Sequence, residues 1–352
     1  MAARSVLKWV SACAALFLGG FGCGGIQSGD HGGRAPMAIA ALAFPGNGTL
    51  IVASRERTVV LDSHLNEITR IAPPYPFDPN VAAPGLMYFS FSRDGSIGAL
   101  AWQQDNISKV PTVDAGVLFY RIPSGERVWS SFMTMTKFGL QGSQISPDGT
   151  AWVSLFDDVV QVTGVSDGGM RWSVPDKLLP DVQFTGDGSS VVTVAQTQIR
   201  ILSASDGAER ETFALPDRTS WATVAVSGDG STLAVFVDQV ASPERLAVGR
   251  LSDGAPLTEI SLPAGVGGVP HVLALSASGD RLAGAFANYG RETLVVWQGQ
   301  RLLYRFDRPG NGPVTFSPDG AVLATANGSD GVVLRDAATG TVLAQRWIPA
   351  AP

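Results

Sequence analysis

The chain has 352 residues, of which 45% are hydrophobic and only 16% charged, with 41 glycines, 22 prolines and 2 cysteines. The apolar share is that of a packed globule, and Gly and Pro follow no three-residue period, which excludes collagen, coiled coil and a disordered acidic tail. Little Lys and Glu beside abundant Gly, Val, Thr and Ser points to β-structure, and a net charge of −6 with a pI near 5.1 argues against a nucleic-acid partner, which needs a basic face.

Arg4 and Lys8 precede an uncharged run from Trp9 to Gly22 that ends in small residues before Cys23, the pattern of a secretion signal over residues 1–22. The run of 14 residues is shorter than the roughly 20 a membrane-spanning helix needs. Leu18-Gly19-Gly20-Phe21-Gly22-Cys23 resembles a bacterial lipobox, with small Gly22 in place but Gly20 and Phe21 departing from the usual pattern. The resemblance implies lipidation at Cys23. The alternatives are ordinary cleavage into the periplasm or medium, an uncleaved anchor, or lipidation at Cys13, which lies too close to Lys8 for an apolar core. Both cysteines fall in this segment, so the remaining chain holds no disulfide and no thiolate site. Cleavage removes Arg4 and Lys8 and leaves 23 basic against 31 acidic side chains, a net of −8. Residues 23–36, Gly-rich and polar, read as a tether, and the globular domain covers residues 37–352.

From there one phrase recurs: an apolar alternating run, a Gly-containing turn, and a second apolar run. It stands as AFPGNGTLIVAS, FSRDGSIGALAW, ISPDGTAWVSLF, FTGDGSSVVTVA, VSGDGSTLAVFV, LSASGDRLAGAF and FSPDGAVLATAN. The turn glycines Gly48, Gly95, Gly149, Gly188, Gly230, Gly279 and Gly320 are 39 to 54 residues apart. Asp-Gly between alternating runs is a strong hairpin signal, because the turn needs positive φ. Seven units at this period, each completed by a third strand, a small turn such as Ser124-Gly125 or Thr339-Gly340, and a fourth strand, predict an all-β, seven-bladed propeller of four-stranded antiparallel blades. The final unit owns all four of its strands.

FSPDGAVLATANGSDGVVLRDAATGTVLAQRW resembles WD40-like repeats, though the Trp-Asp and Gly-His dipeptides are missing and Arg335-Asp336 stands nearest to the former. Gly125-x-x-x-Trp129 and Gly168-x-x-x-Trp172 are similar to the signature of quinoprotein-type (PQQ) propellers, in which Trp docks one blade on the next. Both resemblances imply the same fold over residues 37–348.

Candidate chemistry is sparse. The repeated Asp-Gly pairs are turn chemistry and lack the alternate ligand spacing and terminal Glu of a calcium loop. Trp102 and Trp152 are read at second-strand ends, and Trp129, Trp172 and Trp347 in fourth strands, all as interblade packing. Of the histidines, His31 falls in the tether, His64 opens a fourth strand, and His271 starts an inner strand with no identifiable catalytic partner. No catalytic residue, metal ligand or cofactor site is assigned, and no cofactor is expected.

Extra length collects at the second blade, in a segment leading into it, 73–85 (PPYPFDPNVAAPG), and in one joining its second and third strands, 103–114 (QQDNISKVPTVD). Both would lie on one face, where long loops on a rigid scaffold usually bind. Tyr75 and Phe77 are candidate aromatic anchors, and Asp78, Asp105, Asn106 and Lys109 candidate polar contacts. The chain is therefore read as a non-enzymatic scaffold for a protein or cell-envelope polymer. It is read as a monomeric domain, exported and lipid-anchored on the periplasmic or surface side of a bacterial membrane, the outer membrane being the expected one. A glycan or small-ligand binder at the channel mouth, and a lactonase- or quinoprotein-like enzyme, stand as alternatives.

Overall fold

The structure, a computed structural model, describes residues 39–348 apart from 55–56, 72–85, 107–111, 136–139, 157, 176–177, 196, 216–218, 240–243, 252–256, 268–269, 289–290, 309–311 and 328–330. The described residues form seven four-stranded antiparallel sheets, each with its strands in chain order. Blade 1 is β1 (Ile39–Ala43), β2 (Leu50–Ser54), β3 (Thr58–Leu61) and β4 (Glu67–Ile71), and blade 2 is β5 (Leu86–Phe91), β6 (Ile97–Asn106), β7 (Thr112–Arg121) and β8 (Arg127–Met135). Blade 3 comprises β9 (Leu140–Ile145), β10 (Ala151–Phe156), β11 (Val159–Gly164) and β12 (Met170–Pro175), and blade 4 β13 (Leu178–Phe184), β14 (Ser190–Ala195), β15 (Gln198–Ser203) and β16 (Glu209–Ala214). Blade 5 follows with β17 (Thr219–Val226), β18 (Thr232–Gln239), β19 (Arg245–Arg250) and β20 (Thr258–Ile260), and blade 6 with β21 (Pro270–Leu275), β22 (Arg281–Asn288), β23 (Arg291–Gln298) and β24 (Arg301–Arg308). Blade 7 is β25 (Val314–Phe316), β26 (Val322–Asn327), β27 (Gly331–Asp336) and β28 (Val342–Trp347). The first strand of each blade lies against the first strand of the next, and β25 lies against β1. The molecule is a seven-bladed propeller.

The burial of each strand explains why the chain takes this form. Second strands such as Leu50–Ser54, Ala151–Phe156 and Ser190–Ala195 are buried at every position, because a neighbouring blade covers each face of the sheet. Outer strands alternate, as in Glu67–Ile71 and Val342–Trp347, since one row meets solvent. An apolar cluster fills each of the seven seams; that between blades 5 and 6 holds Phe236, Phe286 and Trp297 edge to face, at centroid distances of 6.0 and 6.2 Å. Such side chains stabilise by about 1.5–3 kcal/mol each on burial.

The turn between first and second strands is built the same way in most blades. In Ser92, Ser146, Thr185, Ser227 and Ser317 the hydroxyl donates to the aspartate two residues on, at 2.5–2.7 Å. The same oxygen accepts the N–H that opens the second strand, as Val322 N–H to Ser317 Oγ at 2.9 Å. In blade 6 the pattern slips, and Ser276 donates to Asp280. All seven turn glycines have positive φ, between 69° and 78°.

Among the described residues no strand is exchanged where the ring closes. Blade 7 supplies all four of its own strands, and blade 1 packs on it through Leu50, Val52, Val59 and Leu61 against Ala324, Ala326, Val332 and Leu334. Arg346 on β28 donates to the carbonyl of Leu65 and lies 3.6 Å from Glu67, which Arg70 holds at 2.7 Å.

Three sequence expectations are corrected. Residues 103–106 and 112–114 belong to paired strands rather than to a loop, because Gln104, Asp105 and Asn106 find partners in Asp114, Val113 and Thr112. His64 sits in the turn before β4, whose start is set by Asp62 Oδ1 accepting the N–H groups of His64 and Asn66. Trp347 is 61% exposed, so it packs no seam, and Trp102 lies mid-strand in β6 while Trp152 is near the start of β10.

Candidate functional site

Turns joining first to second and third to fourth strands open on one face of the ring, here the turn face. The remaining connections open on the loop face. β6 and β10 both begin directly after their Asp-Gly turns, at Ile97 and Ala151, so the blades are level on the turn face and extra residues project from the loop face. β6 and β7 are 10 residues long against 6 in β10 and β11. At about 3.4 Å per residue, the hairpin of blade 2 rises roughly 13 Å above that of blade 3.

Asp105 and Asn106 lie on this projecting part, at the distal end of β6. Lys109, Tyr75, Phe77 and Asp78 lie outside the described residues, as does Cys23. The described ends that flank these segments meet on blade 2. Segment 72–85 leaves Ile71 and enters at Leu86, and Leu86 is paired with Gln103, three residues before Asn106. Under the hairpin, Trp102 lies flat over the backbone at Gly116, and Phe132 of β8, 60% exposed, stands 5.6 Å from the Trp102 ring.

Sequence reasoning missed a second constellation, along the inner strands. The innermost strand of every blade has one edge without a partner strand, and its N–H and C=O groups need other partners. Side chains of the preceding blade supply them. Ile145 N–H donates to Ser90 Oγ at 3.0 Å, Leu140 N–H to Gln103 Oε1 at 2.8 Å, and Phe184 N–H to Gln144 Oε1 at 2.6 Å. Between blades 4 and 5, Val224 N–H donates to Asp181 Oδ2 at 2.8 Å, and Gln183 Nε2 donates to Val224 O at 2.6 Å. Asp181 is buried, and the loss of solvation lifts its carboxyl to about 7, only partly offset by the hydrogen bonds from Val224 and Gln183. The only sequence signal was polar residues at alternate places in strands otherwise apolar.

A third arrangement extends one the sequence displayed in part. The indole of Trp129 covers the turn of blade 3 at Gly168, where a Cβ would sit 1.9 Å from the ring and where φ is +65°. Only glycine fits there. Trp172 covers Gly207 in the same way and donates Nε1–H to Ala204 O at 2.8 Å, and Tyr304 takes this place over Gly340. Arg335, beside the missing Trp-Asp position, stacks on Phe306 of the preceding blade at 4.1 Å, while Asp336 accepts from Thr339.

His271 is the second residue of β21 on the inner ring. Among the described residues no three His, Cys, Asp or Glu side chains gather to hold a metal, and no helix is long and apolar enough to cross a membrane.

No protein-family profile and no curated protein matches the chain. Solved structures do. Hydrazine synthase of Kuenenia stuttgartiensis superposes with a TM-score of 0.64 at 16% identity, over 90% of this chain and 100% of that one. The Cps50 (Swd1) β-propeller domain of Myceliophteria thermophila does so with a TM-score of 0.58 at 14% identity, over 84% and 95%. At such identities the likeness is one of fold. The fold is the seven-bladed β-propeller.

Proposed function

We propose that this protein is a non-enzymatic interaction scaffold, exported and tethered to a bacterial membrane through a lipid on Cys23, which holds a protein or envelope polymer at the loop face of blade 2. The observation that carries the reading is the hairpin β6–β7, whose strands of 10 residues are longer than the described second and third strands of every other blade, which have 8 at most. A rigid ring with one raised element suits presentation of a docking surface better than chemistry, and propellers serve such roles on one fold. β1 starts at Ile39 opposite Ser54, so the chain arrives from the loop face. A tether of 14 residues, 23–36, would let the domain stand about 50 Å at most from its lipid.

The test is photo-crosslinking in the native membrane from a reactive residue placed at Asn106. The wild-type frame is compared with a form in which residues 104–113 are replaced by a Gly-Ser turn, circular dichroism serving as the control of folding. A partner captured by the first and lost by the second is expected; equal capture by both would overturn the site. Cys23→Ala should shift the protein from the membrane to the soluble fraction. His271→Ala should leave any hydrolytic activity of the preparation unchanged.

A further inference from the structure

Blade 1 departs from the others in its first turn. The other six carry an aspartate beside the turn glycine, held by a Ser or Thr hydroxyl. Blade 1 reads Pro45-Gly46-Asn47-Gly48-Thr49, with an amide in place of the carboxylate. Asn47 and Gly48 are both exposed, and a Cβ at Gly48 would meet nothing within 4 Å. The N–H of Gly48 is also the most loosely held of its kind. It reaches Pro45 O at 3.4 Å, whereas the turn glycines of the other six blades donate to the equivalent carbonyl at 2.8–3.0 Å. On the side chain, Asn47 Oδ1 accepts the Thr49 hydroxyl at 2.7 Å and the Thr49 N–H at 3.2 Å. A backbone N–H only donates, so the amide oxygen and not its nitrogen faces Thr49.

These three residues hold the parts of an acyl transfer. The Gly48 nitrogen is a nucleophile with no side chain to obstruct it, and Asn47 Cγ is the electrophile. Both belong to one short stretch of chain, so they meet without any loss of translational freedom. The two Thr49 donors sit on the oxygen that takes up negative charge when Cγ becomes tetrahedral, the arrangement that stabilises an oxyanion. The aspartates of the other turns offer no such electrophile, because an ionised carboxylate repels a nucleophile and carries no amine to expel.

We propose that Asn47 is a site of spontaneous deamidation in the folded protein, by ring closure onto Gly48 with Thr49 stabilising the intermediate. The Gly48 nitrogen gives its proton to solvent and bonds to Asn47 Cγ, and the charge passes to Oδ1. The bond from Cγ to Nδ2 then breaks, Nδ2 leaves as ammonia with a proton taken from water, and a succinimide ring remains. One water molecule opens the ring. Cleavage of its bond from Cγ to nitrogen gives an ordinary aspartate, and cleavage of its bond from the main-chain carbonyl carbon to nitrogen gives an isoaspartyl link with one more carbon in the backbone. The aspartate product gives blade 1 the turn of blade 3, where Asp148 accepts the N–H and the hydroxyl of Thr150. The isoaspartyl product lengthens the turn whose Gly46 N–H donates to Arg93 O of blade 2 at 2.8 Å, and should loosen that join.

The full chain is incubated at about pH 7 and about pH 9, folded and in guanidinium chloride, and then digested with trypsin, which releases residues 35–55 with Asn47 as their one amide side chain. Conversion of that peptide from amide to acid, faster at the higher pH, and capture of the ring by hydroxylamine are expected. The folded chain should convert at least as fast as the unfolded one, because the fold keeps Thr49 on Oδ1. Thr49→Val, which removes the hydroxyl and keeps the side-chain shape, should slow the folded chain by about threefold or more and leave the unfolded rate unchanged, circular dichroism serving as the control of folding. A folded chain that stays unconverted, one that converts more slowly than the unfolded chain, or a Thr49→Val variant with the wild-type rate would overturn the inference. The first two outcomes are read on the unaltered chain, so a folding defect in the variant cannot mask them.

Discussion

A hydroxyl two places before an aspartate does more for these turns than the Asp-Gly pair by itself. Ser317 bridges Asp319 and the N–H of Val322, joining the turn to the strand it starts. Ser317→Ala should therefore destabilise the fold by about 1–2 kcal/mol, read by urea unfolding, because Asp319 loses a donor and a nearly buried N–H loses its acceptor. Hydrogen bonds from Ser317 and from the N–H of Ala321 hold the Asp319 carboxyl below its ordinary 3.8. Its contribution is present above that value and is lost as the pH falls through the folded one. Asp181 works in the opposite sense. Burial raises it from 3.8 to about 7, so the folded chain holds a proton there that the unfolded chain has released. Stability should decline as the pH rises from about 4 to about 7, by up to about 1.4 kcal/mol per unit, and level off above. Asp181→Asn should flatten that decline in thermal unfolding measured across the range; an unchanged profile would refute it. On β9, β10, β14 and β17, the strands packed against β13, there is no Asp, Glu, His, Lys or Arg to alter the sign. In the sequence the turn hydroxyls recur with the turns and are visible. Asp181 is not, because one polar residue in an apolar strand looks alike whether it faces water or a neighbour's edge.

At the scale of the strand, the aromatic residues separate by what covers them. Trp129 and Trp347 both occupy fourth strands, but Trp129 stands four residues after the turn glycine Gly125 and covers Gly168 of the next blade, whereas Trp347 stands seven after Gly340 and is exposed. Trp129→Ala should cost about 3–5 kcal/mol by loss of buried contact, whereas Trp347→Ala should stay within about 0.5 kcal/mol, both by denaturant unfolding. Gly168→Ala should be destabilising by more than 1 kcal/mol, since the added methyl meets the Trp129 ring and the residue has positive φ. The hairpin of blade 2 was misread as a loop for a related reason. QQDN carries little β signal and the β-favouring pair Thr112-Val113 is short and precedes Asp114, so the strand conformation shows only in the pairing of the two segments.

For the whole molecule, closure of the ring joins the first blade to the last. Among the described residues the seam between blades 7 and 1 has no exchanged strand and is made by side-chain contacts, with Arg346 reaching the carbonyl of Leu65. Leu50→Ala, at a fully buried position of that seam, should cost about 2–5 kcal/mol. Arg346→Ala removes a hydrogen bond and a half-exposed ion pair and should cost about 1 kcal/mol. Both are measured as shifts of one urea transition, and a separate early transition for blade 7 would show that the ring opens before it unfolds.

The repeat spacing, the turn glycines and the alternation of apolar residues were enough to determine seven blades, their four strands and the place of every Asp-Gly turn. Those are local properties, written within 40 to 50 consecutive residues, and each copy repeats the message. What only the tertiary structure decided lies between copies. Which carboxylate loses water and how the ring shuts both depend on residues brought together from different blades. A single repeat carries no trace of its neighbour's surface, so these features become visible only when the ring is closed.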